Sequence, residues 1–543
     1  MQERAAELME QVRSMFKDTT DILQTMDLVD SIQLLGLSYH FEKEISEALN
    51  RVHDADLNDH ALYDTALRFR LLRQQGYHVT PGNTLGRFLG VDVFMYLTSS
   101  KMRIVSTLKD DPKGLLSLYN AAYLRIHEET ILDEAISFTR DQLASMLSDL
   151  TPPLATQVRL FLESPLCRRM KRLLARNYIS IYQEWATRND ALLELAKLDF
   201  NLLQCLHYDE IKSISIWWND LFLSKNLSFA RDRVVECYYW ILAVYFEPHY
   251  SRARVITTKV MAMTSILDDI YDLYSTLEES QLLTQAIQRW DAKAVHQLPE
   301  YMKGYFLNLI DSFKEFENLL APSEKYRLFY LKEACLFGFL FLTQRRHFLT
   351  FVWMKGLSRS YLEENKWAVK QYVPKLEEHL QISLISSAYP MLICASFVGM
   401  GEVATKEAFE WVASFPKIIK ASALIARIAN DFVSHELEQT REHVASTIQC
   451  YMKEFGTNVH VACENLQVMV EDAWKDVNEE CLNPTAASVP LLERIVNFLC
   501  LFNDIYKDID GYTNSSTYTR DNISLLLVHP IEICSCTLIN HMV

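Results

Sequence analysis

The chain has 543 residues, of which 49% are hydrophobic and 23% charged, so it has room for two large domains and is too apolar to be disordered. Its net charge of −16 excludes non-specific nucleic-acid binding, which needs a basic footprint. Only 13 Gly and 14 Pro are present, far below the roughly 12% of an average globular chain, which argues against turn-rich β architectures and for long helices. The expected fold class is therefore all-α.

The chain opens with "MQERAAELMEQVRSMF", a charged amphipathic helix and neither a signal peptide nor an acid-poor transit peptide. Its longest apolar stretches, such as "YPMLICASFVGM" (389–400), fall short of the ~20 residues of a membrane span, so a cytoplasmic protein without one is expected. The 11 cysteines are scattered, with only Cys534 and Cys536 close together, and read as reduced thiols rather than a disulfide framework or zinc site.

Residues 1–75 read as successive helices, for example "MDLVDSIQLLGLSYHFEKEISEALNRV", with apolar residues three and four apart. The pattern breaks at "VTPGNTLGRFLGVDVFMYLTSS" (79–100) and resumes at "PKGLLSLYNAAYLRI". A join at Thr187–Asn189 precedes a fresh amphipathic helix opening at Asp190. Two helical domains are expected, 1–190 and 191–543.

Four segments of the second half carry chemistry. In "SFARDRVVECYYW", Arg231 and Arg233 offer paired guanidinium forks suited to phosphate oxygens, although a surface salt-bridge cluster reads the same way. Trp240 follows seven residues later, and an aromatic face stabilises a nearby cation, although core packing is the commoner use of a tryptophan. "AMTSILDDIYD" ends an apolar helix with Asp268, Asp269 and Asp272, at the end where the helix dipole is already negative. Asp268 and Asp272 share a face four residues apart, and two such carboxylates repel unless a cation lies between them. An isolated DxxxD is more often a solvated helix end. In "ARIANDFVSHELEQTREH", Asn430, Ser434 and Glu438 form one stripe of oxygen donors suited to Mg²⁺, with Arg427 one turn before. The fourth segment is "DIDGYT", with Asp510 and Tyr512.

Together these segments resemble the class I terpene synthase family. "DDIYD" matches its aspartate-rich motif, "NDFVSHELE" its second metal motif, and "RDR" stands at the usual distance upstream. "FEPHYSRARV", "TQAIQRWD", "GYT" and "LLLVHPIEI" look like plant sesquiterpene synthases, and the likeness runs through nearly the whole chain. The resemblance implies an N-terminal α-barrel-like domain and a C-terminal helical bundle with a deep apolar pocket. It implies three Mg²⁺ ions, with Mn²⁺ as a substitute, held by Asp268 and Asp272 on one wall and Asn430, Ser434 and Glu438 on the other. Asp269 would support from behind. Arg231, Arg233 and Arg427 would grip the diphosphate of a prenyl diphosphate substrate with help from Arg441, and Asp268, Asp272 and Asn430 would reach it through the metals. Trp240 and Tyr512 would stabilise a carbocation formed from farnesyl diphosphate, which proton loss or water capture would quench. A monomer is expected.

The sequence departs from the family at several points. By that resemblance it would begin inside the first domain, without the usual N-terminal segment and its arginine–tryptophan motif. Residues 82–108 are atypical, Ser275 stands where glycine is common, and a tail follows Ile533. These departures keep open a catalytically impaired paralogue. A chain-elongating prenyl transferase ranks lower because "NDFVSHELE" replaces a second aspartate-rich motif, and no DxDD motif for proton-initiated cyclisation occurs.

Overall fold

The computed structural model describes residues 1–55, 61–82, 111–225, 230–332, 353–438, 444–507, 509–516 and 518–533, with the side chains of 222–225 and 436–438 outside that description. The atypical stretch from residue 83, Arg441, Cys534 and Cys536 therefore lie outside the described residues. Regular structure is helical throughout the described residues, and their cysteines are all free thiols.

The chain divides into two compact units. The first comprises Met1–His207, Asn478–Thr485 and the segment beginning at Arg520; the second comprises Tyr208–Val477 and Ala486–Thr519. The division falls inside a continuous helix, the one that opens at Asp190, rather than in a loop.

In the first unit, α1 (Gln2–Asp18), α2 (Ile22–Leu34), α3 (Glu42–Asp54) and α4 (Leu62–Gln74) precede α5 (Pro112–Ala122), α6 (Thr130–Met146), α7 (Leu154–Glu163), α8 (Lys171–Glu184) and the first half of α9 (Asp190–Lys225), whose residues from Tyr208 onward belong to the second unit. α1 shows why these segments are helical: Ala5, Leu8, Val12 and Phe16 form one buried stripe at three- and four-residue spacing. α5 starts where Asp111 accepts a hydrogen bond from Gly114 N at 2.8 Å, with Pro112 at the first helical position. α9 starts the same way, with Asn189 Oδ1 accepting from Leu192 N at 3.1 Å.

The second unit is a bundle built around one central helix. Its elements are α10 (Val234–Val244), α11 (Ser251–Asp269), α12 (Leu277–Arg289), α13 (Glu300–Leu319), α14 (Tyr326–Lys332), α15 (Trp353–Val369), α16 (Leu376–Ser386), α17 (Tyr389–Val398), α18 (Lys406–Ala413), α19 (Lys417–Glu438), α20 (Thr447–Phe455), α21 (Val459–Glu480) and α22 (Val489–Cys500). α11 is buried on nearly every side and packs on α10, α13 and α17. α19 packs on α16, α17, α20 and α22, and α15 lies on α12 and α16. Close approach of α17 to α11 depends on Gly399, where a Cβ would stand 2.4 Å from Ala253 Cα.

A buried ion pair locks the base of α11. Arg254, fully buried, donates through Nε and Nη2 to Glu210 at 2.8 and 2.7 Å, and through Nη1 to the carbonyls of Tyr245 and Glu247. Glu247 also accepts from Arg494 of α22 at 3.1 and 3.2 Å. Such a pair is stable in an apolar interior only with further hydrogen bonds to its buried groups, as the two carbonyls supply for Arg254.

The apolar run is longer than the twelve residues quoted above. Leu376–Val398 has a membrane span's length and hydropathy over 23 residues. Ala388 breaks it with a left-handed backbone (φ 59°), giving the two short helices α16 and α17, whose side chains are mostly buried in the bundle.

Candidate active site

The arginine segment enters α10 at Arg233. Its guanidinium lies 4.8 Å from the centroid of the Tyr512 ring and donates to Thr513 Oγ1 at 3.1 Å and Ser265 Oγ at 3.4 Å. The Tyr512 hydroxyl donates to the same Ser265 Oγ at 2.9 Å and lies 3.2 Å from Cys237 Sγ. Burial holds that hydroxyl well above the usual tyrosine range, so it stays protonated. Trp240 meets Tyr512 edge-on at 5.4 Å and Phe502 at 5.5 Å, with Tyr506 at 6.2 Å. Its Nε1 is buried without a hydrogen-bond partner among the described residues. Arg233, Trp240 and Tyr512 thus form one aromatic and cationic cluster.

Arg231 points elsewhere. Its Nε and Nη2 donate to Asp269 Oδ1 at 3.0 and 2.6 Å, and its backbone N donates to Oδ2 at 2.9 Å. Asp269 is 1% exposed, so of the three aspartates it is the one turned inward to support the arginine segment.

Asp268 and Asp269 are the last two residues of α11, but the chain does not continue with α-helical pitch. Ile270–Tyr274 form a π turn, a wider turn often found at functional sites, so Asp272 stands on a looser coil than the sequence spacing implies. Asp268 is partly buried and Asp272 exposed. Burial, then the neighbouring Asp272 and Asp269 carboxylates, push the Asp268 pKa up to about 6 against the pull of Arg233 and Arg231. Such a carboxylate has more negative neighbours than its surroundings neutralise, the electrostatic setting of a cation ligand.

On α19, Asn430 interacts with the hydroxyl of Tyr506, and Ser434 Oγ is buried without a hydrogen-bond partner among the described residues. Glu438 is the last residue of the helix, and its side chain is outside the description. Asp431, between the two, faces away: its Oδ2 accepts from Thr447 N at 2.7 Å and Oδ1 lies 3.5 Å from Arg427. Arg427 Nη2 donates to Ser386 Oγ at 3.3 Å, and Ser386 donates to Glu364 at 2.5 Å.

Two tyrosines tie these parts together. Tyr361 of α15 is within electrostatic reach of Asp268, Glu364 and Arg427, while Tyr506 is within reach of Asp510, Arg427 and Arg233. The aspartate-rich turn, the arginine segment and the α19 stripe therefore share neighbours. Sequence reasoning missed Tyr361, Glu364, Ser386 and Tyr506. The only hints were that Tyr361 and Glu364 are one helical turn apart and that Tyr506 stands four residues before Asp510.

These groups fit a hard divalent cation. Among the described residues no three His, Cys, Asp or Glu side chains close into a ready-made cage. Open half-sites of carboxylate, amide and hydroxyl oxygens, with an orphaned buried Ser434 Oγ, instead suit Mg²⁺, which keeps several waters and binds together with substrate phosphates.

Residues 1–162 match the family model "Terpene synthase, N-terminal domain", and residues 259–476 match "Terpene synthase family 2, C-terminal metal binding". The chain belongs to the terpene synthase family. α-Humulene synthase of Zingiber zerumbet is 57% identical over 528 residues, covering 97% of this chain and 91% of the relative. β-Eudesmol synthase of the same plant is 55% identical over 532 residues, covering 98% and 91%. The solved structure of isoprene synthase from grey poplar, in complex with three Mg²⁺ ions and dimethylallyl-S-thiolodiphosphate, matches with a TM-score of 0.85 at 31% identity, covering 98% of this chain and 97% of that one. This terpene synthase is thus a lyase of the two-domain helical type, and its close relatives are sesquiterpene synthases.

Proposed function

We propose that the chain converts farnesyl diphosphate to a sesquiterpene in a Mg²⁺-dependent reaction. The observation that carries this reading is the convergence of the acidic turn at Asp268, the cluster of Arg233, Tyr512 and Trp240, and the α19 stripe through shared neighbours Tyr361 and Tyr506. The chain length of the substrate rests on relatives that are sesquiterpene synthases at 51–57% identity.

Asp268 and Asp272 would hold Mg²⁺ on one wall, and Asn430, Ser434 and Glu438 on the other. When bound, the ions neutralise the diphosphate and make it a better leaving group. Arg233 and Arg427 donate charge-assisted hydrogen bonds to the diphosphate oxygens as negative charge builds on them. Arg231 joins them from a position set by Asp269. The allylic C–O bond breaks, its electron pair leaves with the diphosphate, and an allylic carbocation remains. The faces of Trp240 and Tyr512 offer that cation stabilisation worth up to ~2 kcal/mol in a dry site. The surrounding apolar side chains exclude the water that would quench it early, and loss of a proton or a late water capture ends the reaction.

The test is incubation of the purified chain with farnesyl, geranyl or geranylgeranyl diphosphate and Mg²⁺, with gas chromatography–mass spectrometry of the volatile extract and a chelator control. Metal-dependent sesquiterpenes from farnesyl diphosphate are expected. No product from any of the three with folded protein would reject the reading in favour of a catalytically impaired paralogue.

A further inference from the structure

The turn that carries Asp272 is held open by a side chain from another helix. In an α-helix Ser275 N would donate to Tyr271 O, four residues back. Here Ser275 N donates to Ile270 O at 2.9 Å, five residues back, which makes the turn a π turn and releases the Tyr271 carbonyl. That carbonyl accepts instead from Asn365 Nδ2 of α15 at 3.0 Å. The same amide nitrogen donates to Ser280 Oγ at 2.9 Å, and Ser280 Oγ lies 2.6 Å from Ser275 Oγ. The Tyr271 ring is fixed below, its hydroxyl 2.6 Å from Thr284 Oγ1.

The Asn365 amide thus occupies the place that the Ser275 N–H would take in a regular helix. A buried carbonyl left without a donor is destabilising. Without Asn365, the turn recovers a bond by returning Ser275 N to Tyr271 O, and that winding turns Asp272 relative to Asp268. Ser275 contributes as well: its hydroxyl shares the Ser280 oxygen that orients the amide.

We propose that Asn365 is a positioning residue of the metal site, which sets the placement of Asp272 against Asp268 through the Tyr271 carbonyl. The inference rests on the metal-site reading given above. It predicts a loss of metal affinity without a matching loss of fold, because the amide touches neither metal nor substrate. Removing groups that orient metal ligands typically weakens metal binding roughly 10–100-fold.

The test is calorimetric titration of Mg²⁺ into the full chain with inorganic pyrophosphate present, for wild type and Asn365→Leu, beside thermal melts of both. The expected result is a loss of about tenfold in apparent Mg²⁺ affinity. The Mg²⁺ concentration for half-maximal turnover should rise by a similar factor, with kcat at saturating Mg²⁺ and the melting temperature nearly unchanged. If Asn365→Leu does not fold, Ser280→Ala, which removes only the hydroxyl that orients the amide, should show the same loss at smaller size. Wild-type Mg²⁺ affinity in either folded variant overturns the role of Asn365 alone. No Mg²⁺-dependent pyrophosphate binding by the wild type overturns the metal-site reading and this inference with it.

Discussion

Arg231 and Asp269 form a closed unit in which one carboxylate takes both a guanidinium fork and the backbone N–H of the same arginine, at 2.6–3.0 Å. The motif aspartates therefore divide their labour. Asp269 fixes the segment that leads to Arg233, whereas Asp268 and Asp272 are the two aspartates proposed above to hold a cation. Asp269→Ala is expected to lose about 2 kcal/mol of stability, the scale of hydrogen bonds to a charged group. Turnover should fall about tenfold as Arg231 loses its fixed position. Urea unfolding and steady-state kinetics with farnesyl diphosphate read the two effects, and unchanged turnover would remove Arg231 from the site.

Asp268 supplies a pH signature. Its folded-state pKa of about 6 lies above the ordinary carboxylate value of 3.8, so between those values the metal-free fold holds a proton that the unfolded chain lacks. Stability from this group is therefore greatest below about pH 4 and is lost as pH rises through 6. With a chelator, Asp268→Asn should melt above wild type near neutral pH, and the gap should close on acidification. Adding Mg²⁺ and pyrophosphate should reverse the order at neutral pH, since only the wild type gains a ligand. Turnover of Asp268→Asn should drop by roughly two orders of magnitude or more. A melting gap that does not vary with pH would show that Asp268 is not the titrating group.

The legible part of the site was the part encoded locally. Arg231 and Arg233, Asp268 and Asp272, and Asn430 and Ser434 are each close together on one segment, although only Asn430 and Ser434 share an α-helix face by spacing alone, since the arginines precede α10 and Asp272 stands on the π turn. Tyr361, Tyr506 and Ser386 enter through packing of helices distant in sequence, which no local spacing encodes. The π turn was hidden for the same reason: its released carbonyl is satisfied by Asn365, 94 residues away. The all-helical fold followed from apolar periodicity and the scarcity of Gly and Pro. The break at Ala388 did not, because alanine carries no signal for a left-handed backbone.

The pair of Arg254 and Glu210 tests how the bundle tolerates buried charge. Arg254→Met leaves a carboxylate at Glu210 with one Tyr238 hydroxyl in place of the guanidinium, and should cost about 3–5 kcal/mol. Adding Glu210→Leu should restore part of that loss by removing the stranded charge. Recovery should be incomplete, because the carbonyls of Tyr245 and Glu247 still lose their Arg254 donor. Chemical denaturation of the two single variants and the double variant gives the coupling, and additive losses would show that the pair acts as two independent contacts.

Gly399 tests the seat of α11 without touching its far end. Its backbone has φ −92°, which alanine adopts freely, so the objection to a side chain is purely steric. The added Cβ would stand 2.4 Å from Ala253 Cα and 2.7 Å from Ala253 N, backbone atoms that cannot swing aside as a flexible side chain can. Gly399→Ala must therefore push α17 off α11, at a cost of about 1–3 kcal/mol. Ala253 lies in the first turn of α11 and Asp268 at its other end, about 22 Å away at 1.5 Å per residue. If the helix seat yields locally, Gly399→Ala should lower the melting temperature and leave Mg²⁺ affinity intact, the reverse of the pattern expected for Asn365→Leu. A fall in Mg²⁺ affinity in Gly399→Ala would mean that α11 shifts as a rigid rod and carries Asp268 with it. Placement of the acidic turn would then depend on the whole helix rather than on the amide of Asn365.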